Sequence, residues 1–127
     1  MTPEAADHLD KVRHCLFRAR VILASDVSEV AAREAYLAAF HAAQALIAVR
    51  TGKDARTHRG VHVQFARLTR DEPMINDELR RFLPRAYDMK AIADYELGPD
   101  ADVPTAQAAM AIETAERFID CIAALLA

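Results

Sequence analysis

The sequence predicts an all-α protein, an up-and-down bundle of four to five helices in a single domain over residues 1–127. Three observations lead there. The composition is rich in Ala, with Gly 3, Pro 5 and Trp 0, which favours helices over strands and turns. Apolar residues recur every three or four positions through most of the chain. The breaks in that pattern are short, polar, and rich in residues that cap helices or turn the chain.

The first helix is expected over residues 3–24. Thr2 can cap it, Pro3 suits its first position, and Glu4 and Asp7 favour the positive end of its dipole. Leu9, Val12, Leu16 and Leu23 share one face, with Cys15, Ala19 and Ile22 beside them. Arg13, His14, Arg18 and Arg20 form a basic flank that reads as a solvated face. Asp26 and Ser28 are both candidate caps for a second helix running to about Val49, which Thr51-Gly52 closes. So short a connection makes these two helices antiparallel.

The stretch Arg33–Arg50 lacks Gly and Pro and carries seven Ala residues, which would let neighbouring helices approach closely. At about 100° per residue, Arg33, Tyr36, Phe40, Gln44 and Ile47 fall on one side, with His41 to the flank. A cation, a phenol and an imidazole therefore accompany the most core-like helix. That combination hints at a site inside the bundle or at an interface.

A polar connection, Lys53 to His62, leads into a third helix that begins at Thr57 or His58 and buries Val61, Phe65 and Leu68. Asp71-Glu72-Pro73 ends it. A fourth helix starts near Asn76 or Asp77 and reads Leu79, Phe82, Leu83, Ala86, Met89, Ala93, Leu97, with Pro84 expected to kink or interrupt it. Residues 98–102 form a turn. Val103-Pro104-Thr105 then opens a last helix with Ala108, Ile112, Ala115, Ile119, Ile122 and Leu126 in register.

The net charge of −3 leaves no global basic footprint for nucleic acid, so any such contact must be a local patch. Cys15 and Cys121 both lie in apolar helical patterns and read as buried free thiols of a reducing compartment. The acidic start, Met-Thr-Pro-Glu, is unlike a signal peptide, and no apolar run is long enough for a membrane span. A cytoplasmic protein with no membrane association is the expectation.

No phosphate loop, dinucleotide Gly fingerprint or zinc-type Cys pair occurs, and no cofactor is implied. His58 and His62 are four residues apart and could share a helix face, but no third metal ligand accompanies them, so no metal site is assigned. Arg56, His58, Arg59 and His62 are the densest group of cations and imidazoles. At a helix N-terminus, backbone N–H groups would add to its attraction for phosphate. Arg can hold phosphate oxygens bidentately and His can move protons near neutral pH, the two functions that RNA cleavage needs. Solvation of a polar loop is the alternative. Lys90 and Asp94 form a second group, an i, i+4 pair whose default explanation is a surface ion pair, with Tyr95 beside it.

Taken together, Arg33-x-x-Tyr36-x-x-x-Phe40-His41-Ala42-Ala43, then Thr57-His58-x-Gly60-Val61, then Lys90-x-x-Ala93-Asp94-Tyr95, resemble the HEPN superfamily, and its small stand-alone prokaryotic proteins in particular. The likeness covers residues 9–122 in order and spacing. It implies a helical bundle that usually forms a homodimer and is often encoded beside a minimal nucleotidyltransferase. In many such pairs the HEPN protein is the toxin and the nucleotidyltransferase the antitoxin. Active HEPN ribonucleases carry an Arg followed a helical turn or more later by a His, brought together across the dimer without metal.

At the corresponding place this chain has Lys90 and Asp94. Lys neutralises phosphate without a bidentate fork, and an Asp with an ordinary pKa near about 4 is a poor proton donor at neutral pH. The resemblance implies an RNA- or nucleotide-binding cleft at the dimer interface, with His58, Lys90 and Asp94 as catalytic candidates. Arg33, Tyr36, His41, Arg56, Arg59 and Tyr95 would be the binding candidates. Two alternatives stand beside it. One is a non-catalytic partner of a nucleotidyltransferase, with Tyr87 or Tyr95 as acceptor of a nucleotide. The other is a purely structural helical dimer.

Overall fold

The computed structural model describes residues 2–95 and 103–126, apart from the side chains of residues 92–95. The elements are α1 (Pro3–Ala24), α2 (Ser28–Thr51), α3 (His58–Thr69), α4 (Asp77–Arg80), α5 (Phe82–Tyr95) and α6 (Thr105–Leu126). The expected turn over residues 98–102, and Leu97, lie outside the described residues. So do the side chains of Ala93, Asp94 and Tyr95.

Helix α2 is the axis of the bundle. It packs against α1, α3, α5 and α6, and sixteen of its 24 residues are buried. Ala supplies most of those positions, so the surrounding backbones come close without large side chains between them. Ala5 of α1 meets Ala45 and Ala48, while Leu23 packs beside Ala32, so α1 and α2 are antiparallel. Val103 and Ala108 meet Ala32, and Leu126 meets Ala45 and Ala48, so α6 runs parallel to α2. Phe82 at the start of α5 meets Phe118 late in α6, and Met89 packs by Val103 and Ala108, so α5 runs antiparallel to α6. The result is the up-and-down order the sequence predicts, with α3 as a shorter crossing element.

The local signals are satisfied in different ways. Thr2 Oγ1 accepts from Ala5 N at 3.1 Å, and Asn76 Oδ1 accepts from Leu79 N at 2.8 Å. The second helix departs from expectation. Ser28 is its first helical residue, Val27 occupies the cap position with no side-chain bond, and Asp26 takes a left-handed φ of 62°. The Ser28 hydroxyl donates instead to the Val103 carbonyl, tying the start of α2 to the start of α6. A tertiary bond has taken the hydroxyl that local capping would have used.

The expected fourth helix is divided, and the break falls before the proline. Helix α4 ends at Arg80, Arg81 sits at φ −85° and ψ −7°, and α5 starts at Phe82 with Pro84 in its first turn. Pro84 offers no N–H to the Arg80 carbonyl and its ring crowds that carbonyl, so the chain breaks one turn upstream. The Arg80 guanidinium secures the corner, donating to the carbonyls of Thr69 at 3.1 Å and Ile75 at 3.0 Å.

Among the described residues no helix is long and apolar enough to cross a membrane. Both cysteines are free thiols. Burial, then the charge of Glu34 and a hydrogen bond to it, push the Cys15 thiol up to about 11, so it is a poor nucleophile at neutral pH.

Candidate functional site

The site depends on how the chain returns after α2. Gly52 at φ 71° reverses direction, a conformation that glycine adopts without a Cβ penalty. Residues 53–57 then run back along α2 rather than away from it. The buried Gln44 secures this return, its Nε2 donating to the Ala55 carbonyl at 2.8 Å. Thr57 caps α3 by accepting from Gly60 N at 3.0 Å. A Cβ on Gly60 would lie 2.7 Å from that cap oxygen, so glycine keeps the cap closed. His58 is thereby delivered, as the first residue of α3, onto α2 beside Tyr36 and Phe40.

Tyr36 is the centre of the cluster. It is 0% exposed, and its hydroxyl lies 2.7 Å from His58 Nδ1 and 2.9 Å from His62 Nε2. One helical turn separates the two imidazoles, so both point to the same oxygen. Tyr87 of α5 closes the group, its ring centroid 4.9 Å from His58, 5.5 Å from His62 and 5.5 Å from Tyr36. Phe40 lies 4.8 Å from His58 on the other side. Lys90 of α5 places Nζ 6.0 Å from the Tyr87 centroid.

The electrostatics favour neutral rings. Burial lowers the His58 pKa below the usual imidazole value, and the Lys90 charge lowers it further. Burial also lowers His62, helped by neighbouring His58 and partly opposed by Asp88. Burial raises the Tyr36 phenol, so it stays protonated. The arrangement holds two neutral imidazoles and a neutral phenol beside an ammonium group. It can donate and accept protons while attracting an anion.

The sequence-derived candidates divide between this cluster and a second one. His58, Tyr36 and Lys90 meet here, and Arg33 is half-buried one turn before Tyr36 on α2. Tyr36 is enclosed, so it reaches any ligand through the imidazoles it holds. His41 belongs elsewhere: its Nδ1–H donates to Gln44 Oε1 at 2.8 Å, and its ring stacks on His8 with centroids 6.1 Å apart. Arg56 joins that second group, its Nε donating to Asp54 Oδ2 at 3.1 Å while His8 Nε2 donates to Asp54 Oδ1 at 2.7 Å. Arg59 is exposed on α3. The side chains of Asp94 and Tyr95 are outside the described residues.

His62, Phe40 and Tyr87 complete the cluster: the sequence puts His62 in its basic group and Tyr87 among the nucleotide acceptors, but none of the three among its catalytic or binding candidates. The available signal for His62 is its four-residue spacing from His58. No local pattern connects either of them to Tyr87. Among the described residues no three His, Cys, Asp or Glu side chains are grouped to hold a metal ion.

The family profile for the HEPN domain matches residues 5–125, nearly the whole chain. The chain belongs to the HEPN family. Membership carries a general role connected with nucleotides or RNA. No curated protein matches the chain. The three blocks that resemble HEPN proteins now have definite positions: Arg33 to Ala43 on the central helix, Thr57 to Val61 at the cap of α3, and the block from Lys90 late in α5. In this HEPN chain the first two meet at the Tyr36 hydroxyl.

Proposed function

We propose that this HEPN protein binds RNA, as a homodimer, on the face formed by His58, His62, Tyr87 and Lys90, and can cleave it without metal. Arg33 and Arg59 would extend the phosphate contacts from α2 and α3. What carries the reading is a pair of neutral imidazoles on one buried phenol with the Lys90 ammonium alongside. An ammonium attracts phosphate, and imidazoles near neutrality exchange protons with ribose hydroxyls. A minimal nucleotidyltransferase acting as antitoxin is the proposed protein partner, in a cytoplasmic toxin–antitoxin pair.

The test is a titration of labelled single-stranded RNA with purified protein, comparing wild type, Lys90→Ala and His58→Ala over a range of salt. Losing one phosphate contact should weaken binding severalfold and reduce the slope of log affinity against log salt by about 0.7. Equal affinity and equal slope in all three proteins would remove this face from RNA binding.

A second reading has its own support. Lys90 and Asp94 stand where active HEPN ribonucleases carry Arg and His, which favours a non-catalytic partner of the nucleotidyltransferase. Co-expression with that enzyme would then add one nucleotide's mass at Tyr87 or Tyr95. An unmodified chain after co-expression would dismiss this alternative.

A further inference from the structure

The two contacts at the Tyr36 oxygen impose a proton count. A neutral imidazole has one N–H and one bare nitrogen, and a neutral phenol has one O–H. Each contact, 2.7 Å to His58 Nδ1 and 2.9 Å to His62 Nε2, needs one proton between its atoms. The buried phenol O–H has no other acceptor among the described residues, so it fills one contact, and the other is filled by an N–H from the opposite ring. Of the three protons in the group, two are thereby committed to the contacts. The third resides on a far nitrogen, His58 Nε2 or His62 Nδ1. One far nitrogen is then a donor and the other a bare base, and among the described residues neither has a hydrogen-bond partner.

We propose that His58, Tyr36 and His62 form a proton-sharing couple. One imidazole acts as general base and the other as general acid on an RNA phosphodiester, and Tyr36 is the positioning residue that links them. The proposal rests on the RNA-binding reading above. The bare far nitrogen takes the proton of an attacking ribose hydroxyl as that oxygen bonds to phosphorus. The other ring's far N–H gives its proton to the leaving oxygen as the old P–O bond breaks. Meanwhile the two bridging protons each move one place along through the Tyr36 oxygen, so both rings end neutral with their roles exchanged. One proton enters, one leaves, and no further reactant is needed.

The couple has a titration signature that two rings held apart from each other lack, and cleavage followed in parallel separates an acid–base role from a clamp. Four protons fit, with two in the contacts and one on each far nitrogen, so the pair accepts a single positive charge. A fifth would make both rings donors to the Tyr36 oxygen and leave the buried phenol O–H without an acceptor among the described residues. The first proton therefore belongs to both rings, and the second is deferred to much lower pH. Among the described residues, the charges of Lys90 and Asp88 on α5 act on the couple and the Tyr87 ring touches both imidazoles, while Arg33 on α2 and Arg59 on α3 are the nearest cations along their own helices. None of them connects the two rings as Tyr36 does.

The experiment is an NMR titration of isotope-labelled histidines in the full chain, wild type and Tyr36→Phe, with RNA cleavage followed in parallel. In wild type His58 and His62 should move together, with one midpoint for one shared proton and far N–H occupancies that sum to one near neutrality. Tyr36→Phe should separate the midpoints while His8, His14 and His41 signals stay in place. Cleavage should fall about a hundredfold, the scale of a positioned acid–base pair. Independent wild-type midpoints would overturn the couple without any variant, as would an unchanged titration in Tyr36→Phe. Coupled rings with RNA bound but never cleaved would overturn the acid–base role alone. Coupled rings with no RNA bound would instead overturn the RNA reading on which that role rests.

Discussion

Two imidazole groups flank the same helix, and their surroundings differ. On one side of α2, His58 and His62 converge on a neutral phenol, with a lysine nearby. On the other, His8 donates to the Asp54 carboxylate, which also holds Arg56, and stacks on His41, whose N–H is committed to Gln44. The second group joins α1 to the returning connection through charge and satisfied hydrogen bonds. The first leaves a far nitrogen on each ring without a described partner. Histidine content alone does not mark a site; what each ring nitrogen touches does.

The largest expected difference between the two groups is in stability. Tyr36→Ala removes a fully buried ring in contact with Phe40, His58, His62 and Tyr87, and should cost about 3–5 kcal/mol. His8→Ala removes one partly screened pair and should cost about 1 kcal/mol. Urea midpoints at constant slope measure both, and equal losses would erase the contrast.

Gln44→Leu should fall between them. It strands the His41 N–H and the Ala55 carbonyl, at about 1–3 kcal/mol, and loosens the return that delivers His58. Faster amide exchange confined to residues 53–58 would show the loosening. Unchanged exchange there would mean that the connection is held by other contacts.

The pH response comes next. His41, His58 and His62 are all lowered from 6.5, chiefly by burial, so the unfolded chain binds more protons than the folded one below that value. Stability should therefore be full above about pH 6.5, fall as the pH drops from there towards the lowered folded values by up to about 1.4 kcal/mol per pH unit per proton, and level off below them. Replacing both His58 and His62 with Gln should flatten that slope, leaving the His41 share. A slope unchanged in the double variant would assign the whole response to the second group.

The smallest effect is expected for Asp54→Asn. The Asp54 carboxyl is held low, first by the His8 hydrogen bond and then by Arg56, so its contribution is present above the ordinary carboxylate range and lost on acidification. At this exposed site the loss should be under about 1 kcal/mol and should shrink further in high salt. A large salt-independent loss would make the second group a structural keystone.

Much of this was legible from local pattern. The Ala-rich stretch from Arg33 to Arg50 does form the central helix, because helix propensity and apolar period agree there. The caps at Thr2 and Asn76 behave as their residue types suggest. Ser28 does not, since its hydroxyl bonds a carbonyl 75 residues away, a competitor invisible to local reasoning. Phe118 is fully buried between Phe65 and Phe82, yet the register read from Ala108 to Leu126 passes over it. In the site, the i, i+4 spacing of His58 and His62 announced a shared face, while their common partner is 26 residues from His62 and 22 from His58.

The sequence by itself determined an all-helical bundle, its element order, the helix at its centre and its likeness to HEPN proteins. These follow from propensity, period and short motifs, all properties of neighbouring residues. Only the tertiary structure decided which histidines share a hydroxyl, because that required a connection folding back along α2 and held by Gln44. It also decided that Tyr36 is enclosed and that His41 faces a different group from His58. Spacing along a helix sets which way a side chain points; only packing between helices sets what it meets.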